Sequence, residues 1–385
     1  MAKFKLKDFS KDISVAIKDA QSSPLKQFVG LEHYDSGEPV ITRFTDTSLI
    51  SSSVKEFKEN DILIARRNVY LRRAGIAFFS GLTSGDSIIL RIYDDCKEKT
   101  GIPKEDAIKI IPFILNSNDF WNYANKHADG MNSKRISKDM LYDYEFDLPS
   151  LSEQKILADK LWAAYRLKES YKKLLAATDE MVKSQFIEMF GIAESTKPLA
   201  DFIEVSFPGE WGQEDKDGSG VKVIRTTNFT NNGKLDLSEV VTRDIDSAKI
   251  EKKKLFKGDI ILERSGGTND NPVGRVVYFE EDGVYLFNNF TQLLRCKEGV
   301  NSLFIFYSLF NYYQMNKNVI RSMGNKTTGI QNLKMDRYWQ IPIADVSIEL
   351  QKEFESIYRQ ADKSGFELRK SIDAIDAVIK SLINS

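Results

Sequence analysis

A duplicated helical segment constrains this chain more than any other feature. "QKILADKLWAAYRLKESYKKLLAATDEMVKS" occupies residues 154–184 and "QKEFESIYRQADKSGFELRKSIDAIDAVIKS" residues 351–381. Both are 31 residues long, open on Gln-Lys, close on Lys-Ser and lie 197 positions apart. In the second, Leu368, Ile372, Ile375, Ile379 and Leu382 alternate steps of four and three. The aligned positions of the first are Tyr171, Leu175, Thr178, Val182 and Gln185. This is the a/d seam of helices that pair along their length. Pro149 and Pro342 stand just ahead of the helices, where proline ends an extended segment, and Gly191 stops the first. Two unrelated amphipathic helices, each packed on its own domain, would leave the matched length and ends unexplained.

The duplication extends beyond the helices, and an internal repeat outranks other fold signals. "LKDF" (6–9) resembles "LADF" (199–202), "NDILIARR" (60–67) resembles "GDIILERS" (258–265), and "SIILR" ending at Arg91 resembles "TQLLR" ending at Arg295. "LPSLSEQK" (148–155) resembles "IPIADVSIELQK" (341–352). Short β-branched runs such as "DILIA", "DSIILRIY" and "GRVVYFE" predict strands, and "SLFIFYSLFNYYQMN" has helical spacing. The expectation is a mixed α/β (α+β) chain with a pseudo-twofold internal repeat. Its segments are a globular region at 1–148, a long helix at 149–191, a second globular region at 192–342 and a second long helix at 343–385, the helices packing antiparallel as a coiled coil.

Composition excludes several classes. The 385 residues suffice for two domains, and 42% apolar with 29% charged is ordinary for a soluble protein. No apolar run is long enough to span a membrane, and "MAKFKLKDFSKD" has no apolar core of a signal peptide, so a cytoplasmic protein is expected. Cys96 and Cys296 read as free thiols. A net charge of -1 argues against a uniformly basic surface but not against local basic faces. No glycine-rich cofactor loop and no Asn/Asp-Pro-Pro-aromatic motif is present; Asn271-Pro272 is followed by Val273. No phosphate-binding G-x-x-x-x-G-K-[ST] occurs, and two histidines, His33 and His127, with scattered cysteines do not build a common zinc site. No paired carboxylate spacing recommends a nuclease. The reading is a non-catalytic binder without metal or cofactor of its own.

Candidate binding chemistry lies in polar loops. "ARRNVYLRRAG" (65–75) holds Arg66, Arg67, Arg72 and Arg73 with no acid, interleaved with Asn68 and Tyr70. Arginine forks onto guanine or phosphate, asparagine pairs with adenine, and tyrosine stacks. "NKHADGMNSKRIS" (125–137) adds Lys134 and Arg135, and its counterpart "RSMGNKTTGIQN" (321–332) offers Asn325, Lys326 and Thr327. "ERSGGTNDNPVG" (263–274) follows a strand as the arginine-rich loop does, with Arg264, Ser265, Thr268 and Asn269; "NNFTQ" (288–292) adds Asn289 and Gln292. Solvated turns are the alternative. Two such loop sets at matching places point to two related readers of a patterned anionic partner, and double-stranded DNA fits. A coiled-coil assembly protein without a nucleic-acid role and a nuclease with an unrecognised carboxylate site are the competing readings.

The "LPSLSEQKI" ahead of the first long helix, "MVKSQFIEMFG" at its end, the matched second helix, and "GDIILERSGGTNDNPVGRVVYF" with "YLFNNFTQLLR" resemble the specificity subunits of Type I restriction-modification systems. The likeness covers essentially the whole chain. It implies that 1–148 and 192–342 are target-recognition domains, each reading one part of a bipartite asymmetric site, and that the long helices are spacers. It implies methylation subunits, two of them, bound to this scaffold and carrying the S-adenosylmethionine chemistry. A motor-nuclease restriction subunit would use ATP and magnesium. Residues 152–190 correspond to about 58 Å of helix, which limits half-site separation to roughly 17 base pairs at about 3.4 Å each.

Overall fold

The computed structural model describes residues 2–268, 270–327 and 330–384, without the side chains of Lys326, Thr327 and Ile330. The chain divides into two compact units: residues 1–174 with 367–385 (unit 1), and residues 175–366 (unit 2).

Unit 1 is closed by β1 (Ala2–Lys5), which is antiparallel to the last strand of its globular part, Glu145–Leu148. Its central sheet is built from β2 (Ser10–Asp12), β3 (Ile62–Ala65), β4 (Ala74–Ile76) and β5 (Ser87–Ile92), in the order β2-β5-β3-β4 and all antiparallel. Leu63 pairs with Ile89, so the period-two alternation of both strands is in phase. Ile62, Ile64, Ile88 and Leu90 face one core with α1 (Lys104–Ile114) and Trp121; Leu63, Ala65 and Ile89 face a second with Val29 and Phe57. A five-stranded sheet covers that second side and contains one parallel pair, Phe28 against Leu82. The hairpin β6 (Ala128–Asp129) and β7 (Arg135–Ile136) follows, and β8 (Glu145–Leu148) completes the closure.

After the long helix α2 (Leu151–Phe190), unit 2 repeats the plan. β9 (Thr196–Pro198) is antiparallel to the closing strand Pro342–Ala344. The central sheet is β10 (Ile203–Val205), β11 (Ile260–Glu263), β13 (Val276–Tyr278) and β14 (Thr291–Cys296), in the order β10-β14-β11-β13, with the two-residue strand β12 (Ser265–Gly266) just after β11. Ile261 pairs with Leu293 as Leu63 does with Ile89. The aromatic-rich α3 (Ser302–Met315) covers one face; on the other a four-stranded sheet contains a parallel pair, Val223 against Leu286. A hairpin of β15 (Gly324–Thr327) and β16 (Ile330–Leu333) precedes the closing strand β17 (Pro342–Ala344). The last helix is α4 (Ile348–Ile383).

The long helices share a start signal. Ser150 and Ser347 accept from the backbone amides of Gln154 and Gln351 through their carbonyls, and each Gln side chain donates back to the carbonyl of Pro149 or Val346. In unit 1, Ala158, Leu161 and Tyr165 of α2 meet Ile379 of α4 in one core. In unit 2, Val182, Phe186 and Phe190 of α2 meet Phe354 and Ala361 of α4. The early part of α2 thus shares a unit with the late part of α4, and the late part of α2 with the early part of α4: the order of an antiparallel pair.

The expected seam is correspondingly modified. Leu175, Thr178, Leu368 and Ile372 are half-buried, whereas Val182 belongs to the core of unit 2 and Ile375, Ile379 and Leu382 pack on the core of unit 1. The helices are therefore not spacers free of the globular regions. The linear division at 148, 191 and 342 cuts each core from helical residues that complete it.

Candidate nucleic-acid interface

Each unit fixes its candidate loop with the same device. Asp61, one residue before β3, is buried, and Arg91 of β5 forks onto it: Nε to Oδ1 at 2.7 Å and Nη2 to Oδ2 at 2.6 Å. Arg295 forks onto Asp259 with the same two distances, 2.7 and 2.6 Å. Asp61 also accepts from the amide of Lys58, and Asp259 from that of Phe256. The residue before each aspartate has a left-handed backbone, Asn60 at φ 69° and Gly258 at φ 93°. A bidentate charged pair and a turn bond clamp the start of each central strand, so the loop at the strand's far end is held by a rigid sheet.

In unit 1 that loop carries the predicted arginines. Its backbone is stitched to the β6–β7 hairpin: the Asn68 amide donates to Lys134 O at 2.7 Å and the Ile136 amide to Arg66 O at 3.1 Å. Arg67 Nε donates to Ser133 Oγ at 2.8 Å. Two polar segments some 60 residues apart in sequence (66–73 and 128–136) thus form one surface, with Arg67, Tyr70, Lys134 and Arg135 exposed on it. Asn68 and Arg72 adopt left-handed backbone, φ 54° and 50°, on either side of the turn Val69–Leu71. This conformation is uncommon without glycine, and the turn it brackets presents Tyr70.

Not every predicted arginine points outward. Arg73 is half-buried and donates to Leu31 O and Arg67 O, each at 2.9 Å. Burial lowers its pKa from the ordinary guanidinium value and outweighs the opposing influence of Tyr34, Tyr70 and Glu32. Arg73 therefore shapes the loop from beneath rather than offering a free fork. Arg72 donates to Asn118 Oδ1 at 2.9 Å, and Arg66 is half-buried. Asp86, which the sequence reading passed over, lies 3.9 Å from Arg67 Nη1 and 3.3 Å from Arg135 Nη2, and so moderates the positive charge of the surface.

Unit 2 brings together the same elements with different side chains. The Leu333 amide donates to Arg264 O at 2.8 Å, and Ser265 pairs with Asn332 in the sheet. The amides of Arg264 and Ser265 both donate to Phe290 O at 2.9 Å, which joins a third segment, the β13–β14 side turn at 288–290. Asn289, Thr268 and Asn325 are exposed. Arg264 is half-buried, with no side-chain hydrogen bond or ion pair among the described residues. Ser265 and Gln292 are turned inward: Ser265 Oγ bonds Asn332 Oδ1 at 2.6 Å and Gln292 Nε2 bonds Ser206 Oγ at 2.8 Å. They hold the loop and do not face outward. Asn269 lies outside the described residues, as do the side chains of Lys326 and Thr327.

Arg275 of unit 2 takes the place that Arg73 has in unit 1, and here Glu263 is its partner: Nε to Oε2 at 2.8 Å and Nη2 to Oε1 at 3.1 Å. Burial works against the charge on Arg275, but the glutamate reverses this and raises its pKa above the ordinary value. Among the described residues no group of three His, Cys, Asp or Glu side chains could hold a metal ion, and no helix is long and apolar enough to cross a membrane.

Comparison with known proteins accords with this geometry. Residues 195–374, the second globular region and part of α4, match the family model of the Type I restriction modification DNA specificity domain. A chain from a structural study of complex assembly and conformational transition of the type I R-M system superposes with a TM-score of 0.55 at 13% identity, covering 99% of this chain and 96% of that one. The S subunit of a Type I restriction-modification system from M. genitalium gives a TM-score of 0.55 at 12% identity, covering 99% and 94%. No protein of curated function matches the sequence. Residues 195–374, just under half of the chain, are similar to the Type I restriction modification DNA specificity domain, and over nearly its whole length the chain shares the fold of these solved type I R-M structures.

Proposed function

We propose that this chain is the sequence-reading, non-catalytic subunit of a Type I restriction-modification complex, with unit 1 reading one half of a bipartite duplex site and unit 2 the other. The observation that carries the reading is the matched stitching of two polar segments onto one clamped strand end in each unit: 66–68 with 134–136, and 264–265 with 332–333. Because the two surfaces share a backbone frame but not side chains, one chain presents two different readers, and the site need not be a palindrome. Arg67, Tyr70, Lys134 and Arg135 serve the first half-site; Arg264, Thr268, Asn289 and Asn325 the second. The long helices carry two methylation subunits, which bring S-adenosylmethionine, and a restriction subunit brings ATP and magnesium; the assembly works in the cytoplasm of a prokaryotic cell.

Two measurements test this. Duplex affinity of the full-length chain should fall steeply with salt as condensed counterions are released, and the methylome of the source cell should show a split asymmetric motif. A flat salt response would return the chain to the class of assembly proteins. Magnesium-dependent cleavage by the purified chain alone would make it a nuclease.

A further inference from the structure

Among the described residues six aromatic side chains are strongly exposed: Phe44, Tyr70, Phe78, Phe256, Phe290 and Phe366. Three of them have aromatic or cationic partners. Phe44 packs on Phe79, Phe78 on Trp162, and Phe256 lies beneath Arg295 and Lys254. Phe366 lies on the long helix α4. The remaining two, Tyr70 and Phe290, stack on no ring or cation, and each stands in the candidate interface of its own unit. Tyr70 has a hydroxyl to present to solvent; Phe290 has nothing polar, yet is 42% exposed. Leaving a phenyl ring in water forgoes the stabilisation of burial, so its place on a turn otherwise made of amides calls for a partner.

The turn beneath it is rigid. The Asn288 amide donates to Ile224 O at 2.9 Å, and Thr291 closes the turn through both its amide and its hydroxyl onto Asn288 O, at 3.0 and 2.7 Å. Phe290 O receives the amides of Arg264 and Ser265. Gly209 packs so closely that a Cβ there would lie 2.1 Å from Phe287 O. A side chain on such a turn is held in place before any ligand arrives, which is what a reading position requires. Its immediate surroundings, Arg264 and the exposed Asn289, are donors and amides suited to phosphates and base edges.

We propose that Phe290 is an apolar base-reading residue of the second half-site, contacting the groove face of one or two adjacent base pairs as thymine methyl groups or a deformable step would allow. The inference rests on the DNA-reading function proposed above and names a residue of that site. The full-length chain, its Phe290→Ala form and its Phe290→Leu form should each be used to select duplexes from a pool randomised across both half-sites, with melting temperature and salt slope recorded. In the parent, a mismatch at the positions read by Phe290 should weaken binding roughly five- to 150-fold. In Phe290→Ala that preference should fall below twofold in one half-site only. Phe290→Leu should keep part of it, and the salt slope should not change because no charge is removed.

A sequence-selective parent whose profile Phe290→Ala reproduces at every position overturns the inference and leaves the DNA reading standing. Uniform loss at all positions with a lowered melting temperature also overturns it, in favour of a structural role. A parent without sequence selection or salt dependence removes the DNA reading itself, and this inference with it.

Discussion

The two units use one frame and finish it differently. In both, an aspartate before the central strand is locked by an arginine from the neighbouring strand, at the same distances. Above that frame the chemistry diverges. Where unit 2 has Glu263 against Arg275, unit 1 has Ala65 in the matching place, and the hydrogen bonds of Arg73 go to the carbonyls of Leu31 and Arg67. Where the loop amide of unit 2 meets Phe290, that of unit 1 meets Asp86, at 2.9 and 3.1 Å. The difference teaches where identity is stored. The Asp-Arg clamp repeats between units; the residues under and on the loop it carries do not.

The most damaging way to test the common frame is to remove its arginine. Arg91→Ala and Arg295→Ala each strand a carboxylate whose side chain is 2% exposed. Each change should cost about 3 kcal/mol, the lower end for an orphaned buried charge. Urea denaturation should give nearly equal losses for the two. A cost several-fold larger in one unit would show that the frames, though geometrically alike, are not energetically equivalent.

The next change sharpens the divergence. Glu263→Ala leaves Arg275 with carbonyl partners only, the condition Arg73 already occupies. A loss of about 2 kcal/mol is expected, measured by thermal unfolding, with no counterpart in unit 1 to lose.

How much of this was legible in the sequence follows from what each residue needed. The long helices were legible because a 31-residue segment with matched ends recurs 197 residues on and the second copy carries apolar residues at alternating steps of four and three. The polar loops were legible because four arginines without an acid stand out in composition. Arg73, Ser265 and Gln292 read as outward donors because their real partners, Leu31 O, Asn332 and Ser206, lie between 42 and 86 residues away in the chain. Phe290 received no assignment, because an aromatic residue inside "NNFTQ" has no periodicity to mark its side. The Asp-Arg clamp did leave a signal: an aspartate opening "DILIA" and "DIILE", and an arginine ending "SIILR" and "TQLLR". Charges repeated at matching places in two otherwise apolar runs are a pair waiting to be drawn.

A smaller effect concerns charge at the interface. Asp86→Asn removes the anion beside Arg67 and Arg135. Duplex affinity should rise a few-fold regardless of sequence, and the salt slope should steepen by up to about one unit. Filter binding across a salt series reads both. An unchanged slope would place these arginines away from phosphates.

Acid should separate the units' helix anchors only weakly. Burial pushes the Glu38 carboxyl up, but hydrogen bonds and charges from Lys168 and Lys172 outweigh it and hold the pKa below the ordinary value. A lowered folded pKa contributes stability above the ordinary carboxylate range and loses it as pH falls through the folded value. Below about pH 5 the parent's stability should therefore decline more steeply than that of Glu38→Gln. Parallel curves would remove Glu38 from the account.

The smallest contrast lies where the long helices begin. Ser150 and Glu153 form a reciprocal cap on α2: the Ser150 amide donates to Glu153 Oε2 at 3.0 Å and the Glu153 amide to Ser150 Oγ at 3.4 Å. Glu153→Ala should cost about 0.5–1 kcal/mol. At α4 the matching position is Leu350, whose amide donates to Ser347 Oγ but whose side chain cannot return the bond. Writing the box in with Leu350→Glu looks like a gain by the capping rule. Leu350, however, packs against the core of unit 2, and losing that partly buried side chain removes about 1 kcal/mol of apolar burial. A cap at an exposed helix start returns no more than that, and a carboxylate against the core adds a desolvation cost. Leu350→Glu should therefore be neutral to destabilising by up to about 1 kcal/mol. A clear rise in melting temperature would mean that the start of α4 is limited by its cap rather than by its packing.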